Sequence, residues 1–289
     1  MEKPFARIVV ILCAFTIVFG ALGRFHPLGD SLSIFRVPAS LVCLYFSLRL
    51  FRVSWLFPTV SLACIVSLSV YALGRYDFAG VGLFRTTIYQ KNLSFRLADT
   101  TAFIEDVQML EPSFITLQEV TEQNWTNLLP LREEYQTALL CPFAAVGGVA
   151  VLSRYPSVEG TETCHNDLGA ATVQVETPNG PVWVTSLHAR WPFPFDQTKQ
   201  MDRLVPELND LKGRGLIGGD FNMVPWGWTV RRFQANRVSA TRTTFKKEWL
   251  IPISIDHVLG KYAASELTDR RPLLGSDHYG LFVTVDWGS

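Results

Sequence analysis

The sequence predicts an α/β domain built on a pair of mixed sheets and preceded by membrane-spanning helices. Three observations carry this. The first quarter of the 289 residues is a series of uncharged stretches bracketed by arginines. The rest alternates short β-rich runs with helical patterns, and a tight turn joins two of the runs directly. Side chains of one chemical kind recur where those runs end. The formal net charge of zero, 26 basic against 26 acidic residues, hides an asymmetry. Residues 1–75 hold seven basic and two acidic side chains, so the remainder is net acidic by five. With 48% hydrophobic residues and a mean hydropathy of +0.18, composition excludes a disordered or collagen-like chain.

The apolar stretches come first. Arg7 and Arg24 bracket 16 uncharged residues, a predicted span over about 5–23, and the flanking arginines can snorkel to the interface. A cleaved signal peptide with Lys3 and Arg7 as its charged region is the alternative. Arg36 and Arg49 bracket only 12 uncharged residues. Extended back to Ser31, they predict a span over 31–49 with Arg36 near one headgroup layer. Arg52 and Arg75 bracket 22 residues, predicting a span over 53–74, close to the roughly 20 apolar residues that a crossing helix needs. Pro58 lies in its first turns, where a missing N–H costs least. Residues 1–75 therefore read as a three-helix anchor among membrane lipids, which makes the protein multi-pass in the cell membrane. Lys and Arg fall four to each side of that topology. The short Arg49–Arg52 turn favours the cytoplasm, which places the large C-terminal part on the extracytoplasmic side. Cys13, Cys43 and Cys64 lie in the apolar stretches. Cys141 and Cys164 lie outside them, and a disulfide between those two would fit an exported domain.

Residues 76–86 read as a linker and 87–289 as one domain with its own core. Strands are expected at 87–95, 114–118, 148–153, 170–176, 181–187, 215–219, 254–259 and 280–286. Pro178-Asn179-Gly180 turns a hairpin between two of them. Helices are expected at 97–110, 121–133 and 196–212. Helices at only some connections favour mixed sheets over a doubly wound parallel one.

The strand ends carry the chemistry. Asn92 follows TIYQK within the first run, and Glu119 and His188 follow the second and fifth. Asp220 and Asn222 follow the sixth, Asp256 lies in the seventh, and Asp277 and His278 precede the last. Singly, each has a plain reading as a turn residue, a solvated strand end or a structural histidine. Together their oxygen donors suit Mg²⁺ or Mn²⁺ rather than zinc, and no Cys/His spacing suggests zinc.

In this order, Asn92, LQEV at 117–120, SLH at 186–188, GGDFN at 218–222, IDHV at 255–258 and SDH at 276–278 resemble the endonuclease/exonuclease/phosphatase superfamily. SRYP at 153–156 fits the same pattern. The family includes DNase I-like nucleases, neutral sphingomyelinases and inositol polyphosphate 5-phosphatases. The resemblance spans residue 86 to the C-terminus, and the apolar segments are similar to those of a bacterial membrane-attached subgroup. It implies a four-layered α/β sandwich of DNase I-like type and a metal-dependent hydrolase of phosphoester bonds. Glu119 would be the principal metal ligand, supported by Asn92 and Asp277. Asp220 would act on the attacking water and Asn222 would hold that water or the phosphate. His278, fixed by Asp256, would contact a phosphate oxygen. His188 is a candidate acid for the leaving oxygen, and the sequence leaves open which histidine is the acid.

Two aromatic loops follow catalytic positions: Arg190 to Phe195 after His188, and Met223 to Trp228 after Asn222. Both are expected to rim the cleft, as suits a lipid-like phosphoester or docking on a bilayer. Packing within the domain is the plain alternative. Arg231, Arg232, Arg237, Arg242, Lys246 and Lys247 form a basic strip, read here as a solvated surface segment. The domain's net acidity argues against non-specific duplex binding, though less so once the site carboxylates are set aside. The leading expectation is a membrane-anchored phosphoesterase with no obligate protein partner. A membrane-anchored nuclease, or a catalytically silent binding module on the same fold, stands behind it. A transporter does not fit, since three spans are few and lack a midplane ionisable group.

Overall fold

Strand burial alternates or is continuous according to which layers lie on either side. In this computed structural model residues 3–73, 84–245 and 253–287 are described. The first strand, β1 (Phe84–Asn92), takes the last residues of the expected linker, because Phe84 pairs with Trp287 of the final strand. The rest of that expected linker, residues 76–83, lies outside the described residues.

After β1 come α5 (Thr101–Leu110), β2 (Phe114–Val120), α6 (Glu122–Asn127), α7 (Leu129–Glu134), β3 (Thr137–Ala144) and β4 (Gly147–Ser153), preceded in the chain by α1 (Lys3–Gly20), α2 (Pro27–Ser33), α3 (Arg36–Arg49) and α4 (Leu56–Leu73). The second half holds β5 (Thr163–His165), β6 (Ala170–Thr177), β7 (Gly180–His188), α8 (Gln197–Asp210), β8 (Arg214–Asp220), α9 (Trp228–Arg231), β9 (Asn236–Arg237), β10 (Asp256–Lys261), β11 (Ala263–Arg271) and β12 (Gly280–Trp287). Two six-stranded sheets result, in the orders β11-β12-β1-β2-β4-β3 and β5-β6-β7-β8-β10-β9. Each is mixed, with one parallel pair at its centre, β1 with β2 and β7 with β8.

The sheets pack face to face. Ile88, Phe114, Val149 and Val151 meet Val173, Val184, Leu216 and Val258 in one core. α5 to α7 cover the outer face of the first sheet through Phe103, Val107, Leu128 and Leu131. α8 covers the second through Met201, Leu204, Val205 and Leu208. Helix, sheet, sheet, helix makes the four layers. The parallel pairs bring the C-terminal ends of β1, β2, β7 and β8 to one edge, and antiparallel β10 enters there with Asp256 opposite Asp220.

The strands missing from the sequence reading are edge strands or their neighbours. β3 contains Pro142, which is tolerated at the sheet edge. β11 is charged and pairs with β12 alone. β3 and β5 form the corresponding edges of the two sheets, and the Cys141–Cys164 disulfide ties them together with a Cα–Cα distance of 5.3 Å.

At the N-terminus, α1 is the one helix among the described residues long and apolar enough to cross a membrane. The expected helix over 31–49 is not continuous. α2 and α3 are separated at Ile34 and Phe35 and bent by 65°. α4 provides a shorter apolar stretch, Leu56–Val70. The break has a physical cause: α2 is committed to the two-sheet domain, where its Asp30 and Ser33 are buried. The helical bundle is apolar outside and small or polar inside. Ile11 and Leu62 are 67% and 62% exposed, whereas Ser40, Cys43, Ser47, Ser61, Cys64 and Ser67 are buried. Ser47 Oγ and Ser61 Oγ lie 2.6 Å apart, and Arg36 Nε donates to Ser67 Oγ at 3.0 Å.

Candidate active site

β1 and β2 end as neighbours, which places Asn92 beside Gln118 and brings Glu119 to the edge. The ladder slips between Gln118 and Val120, and Glu119 sits in the left-handed region at φ 55°. Its side chain thereby leaves the strand's alternation, a strained arrangement of the kind found at functional sites. Asn222, two residues beyond β8, is also left-handed at φ 47°.

The polar groups converge on Asp220 Oδ2. Asn92 Nδ2 donates to it at 3.1 Å and to Glu119 Oε1 at 3.1 Å. His188 Nε2 lies 3.8 Å from Asp220 Oδ2 and 3.9 Å from Glu119 Oε1. His278 Nε2 lies 3.8 Å from the same Asp220 oxygen. The other Asp220 oxygen accepts from the Asn222 backbone N–H at 2.9 Å. Glu119 Oε2 accepts from the Phe95 N–H at 2.9 Å. Asn222 Nδ2 donates to Ala189 O at 2.8 Å, leaving the buried Asn222 Oδ1 without a protein partner. His188 Nδ1 is likewise unpartnered.

His278 is held from behind. Its Nδ1 is 2.9 Å from Asp256 Oδ2, and Gln90 Nε2 donates to Asp256 Oδ1 at 3.0 Å. Burial works against charge on His278, but Asp256 and then Asp220 outweigh it and push the imidazole up to about 9. His188 has no such partner. Burial, reinforced by the charge on His278, pushes it down to about 4. Burial also pushes Asp220 up to about 7, with Asp256 adding to it. The site thus contains one imidazole disposed to stay protonated and one disposed to stay neutral.

Seven of the eight expected positions meet here. Asp277 is the exception: its side chain is exposed, and it acts on the cluster only as a nearby negative charge that favours protonated His278. A metal ion would need hard oxygen donors that are not already spent. Asp220, Asp256 and His278 bring three ligand-type atoms within 4.8 Å of one another. However, Asp256 and His278 are bonded to each other, and a protonated imidazole cannot ligate. The Glu119 and Asp220 carboxylate oxygens that meet at Asn92 fit a divalent cation better, while Asn92 itself turns Nδ2 toward them and its Oδ1 accepts from the Ser94 N–H at 2.8 Å.

Sequence reasoning missed the supports. Gln90 Nε2 also donates to Gln118 Oε1 at 2.8 Å, and Gln118 Nε2 donates to Ser186 Oγ at 3.0 Å. A glutamine on an otherwise apolar strand face was the available signal. Lys91 is fully buried, and its Nζ donates to the carbonyls of Pro272, Leu273 and His278 at 3.2, 2.8 and 2.5 Å. Burial pushes it down to about 7, but three carbonyl acceptors use all three ammonium hydrogens, so the geometry fits the charged form.

The two aromatic loops separate in role. Trp191 is 47% and Phe195 63% exposed, and the Trp191 ring meets Phe245 at 6.3 Å, which in turn meets His278 at 4.8 Å. That loop does border the site. The loop from Met223 to Trp228 instead faces α2: Trp226 Nε1 donates to Ser33 O at 2.8 Å, and the Arg24 guanidinium lies 5.6 Å from the Trp228 ring. Arg190 lies over Phe143, which contacts the His188 ring, and Arg190 Nη2 donates to Asp167 O at 3.5 Å. In the basic strip Arg232 pairs with Asp202, Arg237 donates to Ser239 O and Arg242 to Thr268 O. Lys246 and Lys247 lie outside the described residues.

The sequence profile of the Endonuclease/Exonuclease/phosphatase family matches residues 90–278, from β1 to His278. The chain belongs to the endonuclease/exonuclease/phosphatase family. Solved structures agree on the fold. It is similar to D. rerio TDP2 complexed with single strand DNA product, with 13% identity, a TM-score of 0.58 and coverage of 70% of this chain and 99% of that one. It is similar to the human Nocturnin catalytic domain with bound sulfate anion, with 17% identity, a TM-score of 0.53 and coverage of 72% and 96%. It is also similar to a beta toxin from Staphylococcus aureus with bound magnesium ions, with 12% identity, a TM-score of 0.51 and coverage of 71% and 100%. Among curated proteins none is matched by sequence. Family members hydrolyse phosphoester bonds.

Proposed function

We propose that this protein is a membrane-anchored, divalent-metal-dependent phosphoesterase that cleaves a phosphodiester or phosphomonoester by attack of water. The observation that carries this reading is the meeting of Glu119, Asn92, His188 and His278 around Asp220 Oδ2, with Asp256 behind His278. Glu119, with Asp220 adjacent, would hold Mg²⁺ or Mn²⁺, Asn92 supports the site by steadying both carboxylates through Nδ2, and Asp277 contributes charge from the rim. When bound, such an ion offsets phosphoryl charge and makes water more acidic. Asp220 accepts the proton of the attacking water. The free Asn222 Oδ1 orients that water or, with Nδ2 engaged at Ala189, fixes the wall beside it. His278, with Asp256 holding its Nδ1 proton, donates from Nε2 to a phosphoryl or leaving oxygen. Neutral His188 serves as a hydrogen-bonding partner to the phosphate rather than as a ready acid.

A lipid-like phosphoester is the preferred substrate class. Trp191, Phe193 and Phe195 present exposed apolar surface between the site and α2. His26 of the anchor lies 6.0 Å from the Phe193 ring, so that surface continues into the N-terminal helices. The inside-out bundle supports a multi-pass anchor, since polar side chains at helix contacts and apolar ones outside suit lipid as the surroundings. α2 lies against the domain, which supports catalysis on the side opposite Lys3, and the Cys141–Cys164 disulfide supports an extracytoplasmic location. A membrane-anchored nuclease is the second reading, favoured by the likeness to a structure holding a single-stranded DNA product.

The test is a panel of phospholipids, nucleotides and single- and double-stranded DNA, offered to the full chain in nanodiscs with Mg²⁺. Phospholipid hydrolysis fastest of the set supports the reading. Faster, salt-sensitive DNA cleavage replaces it with the nuclease. Turnover of none of them leaves the silent module.

A further inference from the structure

Asp30 stands out among the N-terminal residues. It is acidic, 5% exposed, and its side-chain hydrogen bonds reach residues 198 and 199 positions away in the chain. Its Oδ1 accepts from the Trp228 N–H at 2.5 Å, and its Oδ2 accepts from the Thr229 N–H at 2.9 Å. Thr229 Oγ1 lies 2.8 Å from Asp30 Oδ2 and 3.0 Å from Gln197 Oε1, so one hydroxyl hydrogen is shared between two acceptors. Gln197 Nε2 then spends both of its hydrogens on the loops that flank the site, donating to Arg190 O at 2.6 Å and Phe221 O at 3.0 Å. Phe221 is the residue between Asp220 and Asn222. All of Asp30, Thr229, Gln197 and Phe221 are buried.

The fit around Asp30 is close on every side. A Cβ at Gly227 would meet Met223 Cγ at 2.4 Å and Asp30 Oδ1 at 3.1 Å. A Cβ at Gly29 would meet Phe19 O at 2.7 Å, so glycine is what lets α2 lie against the end of α1. Ser31 Oγ adds a bond to Phe193 O at 2.9 Å, and His257 Nε2 holds Met223 O at 2.8 Å from the other side. α2 is thereby built into the same buried network as the Asp220–Asn222 turn.

We propose that Asp30 is a positioning residue for catalysis: through Thr229 and Gln197, the N-terminal anchor holds the Asp220–Phe221–Asn222 turn in its working geometry. The anchor is then a structural part of the active site as well as a tether. This rests on the reading of Asp220 and Asn222 as catalytic. A simple tether predicts a different behaviour, because a flexible attachment leaves kcat on a small soluble substrate untouched. A positioning contact does not, since sub-ångström misplacement of a reacting group lowers the rate without weakening ground-state binding.

The experiment uses the full chain in detergent micelles with Mg²⁺ and a soluble chromogenic phosphodiester, so that lipid access plays no part. Thr229→Val removes the shared hydroxyl at nearly constant volume, Thr229→Ser keeps it, and Asp30→Asn weakens the acceptor. Hydrogen exchange by mass spectrometry over residues 215–227 is measured on the same samples. Thr229→Val and Asp30→Asn are expected to lower kcat roughly tenfold with KM unchanged, and to speed exchange over 215–227 but not over 272–280. Thr229→Ser is expected to restore both. Folded Thr229→Val and Asp30→Asn proteins with wild-type kcat and wild-type exchange overturn the proposal. So does a fall in thermal stability alone. Should Thr229→Val fail to fold, Asp30→Asn against wild type decides by the same two readouts. A wild-type chain with no phosphodiesterase activity, but with exchange at 215–227 that responds to Asp30→Asn, sinks the phosphoesterase reading and leaves the anchor coupling standing.

Discussion

At the residue scale the two histidines are distinguished by what stands behind them. His278 has a carboxylate 2.9 Å from Nδ1 and His188 has no partner at Nδ1. Asp256→Asn should therefore lower kcat by about 10²-fold, the size of a general-acid contribution. It should also move the alkaline limb of the pH–rate profile down, because Asp256 is the largest of the charges raising His278. Steady-state rates between pH 5 and 10 read both. His188→Ala should act mainly on KM. Lys91 calls for a different assay. Lys91→Met leaves three buried carbonyls without their donor, at a cost of about 3 kcal/mol or more in stability, and thermal unfolding of the metal-free protein measures it. The meeting of Asp220, Asn222 and His278 at one site was legible because their motifs are short and contiguous. Lys91 and Gln90 were not, since a lysine or glutamine on a strand reads as solvated until the layer covering it is known. Asp277 shows the converse: adjacency to His278 in sequence does not turn its side chain into the site.

At the element scale, the strands with continuous apolar runs were legible because both of their faces are covered. β3, β5, β9 and β11 were not, since edge strands carry proline, charge or too few residues to show a period. The 31–49 segment reads as one helix by hydropathy alone. Its break follows from contacts that Asp30 and Ser33 make across the chain, which no local pattern encodes. The disulfide between β3 and β5 is an element-scale staple across 23 residues of sequence. Replacing both cysteines by serine should lower stability by about 3 kcal/mol, read from denaturant midpoints. Thiol labelling in intact cells should leave Cys141 and Cys164 unmodified without reductant, and labelling without it would contradict an oxidising location.

At the scale of the whole molecule, the zero net charge resolves into a basic N-terminal quarter and an acidic remainder that includes the site carboxylates Glu119, Asp220 and Asp256. The titratable groups of the site make stability depend on pH and metal together. Asp220 is raised to about 7 and His278 to about 9, so each contributes stability to the metal-free protein that is full below its unfolded pKa and lost as pH rises through the folded one. His188, lowered to about 4, contributes stability that is full above its unfolded pKa and lost as pH falls through 4. In EDTA the unfolding temperature should therefore fall from pH 6 toward pH 9. The increase on adding Mn²⁺ should grow over the same range, since a ligating carboxylate must be deprotonated. An increase that shrinks with rising pH would contradict the assignment of Asp220 to the site of the ion. The most direct measurement of all is the initial rate of phosphodiester hydrolysis by the full chain with Mg²⁺ and with EDTA, for wild type and Glu119→Ala. Metal-dependent turnover in the wild type, abolished by EDTA and reduced at least 10²-fold by Glu119→Ala, is the predicted result. Turnover that survives either change would contradict it.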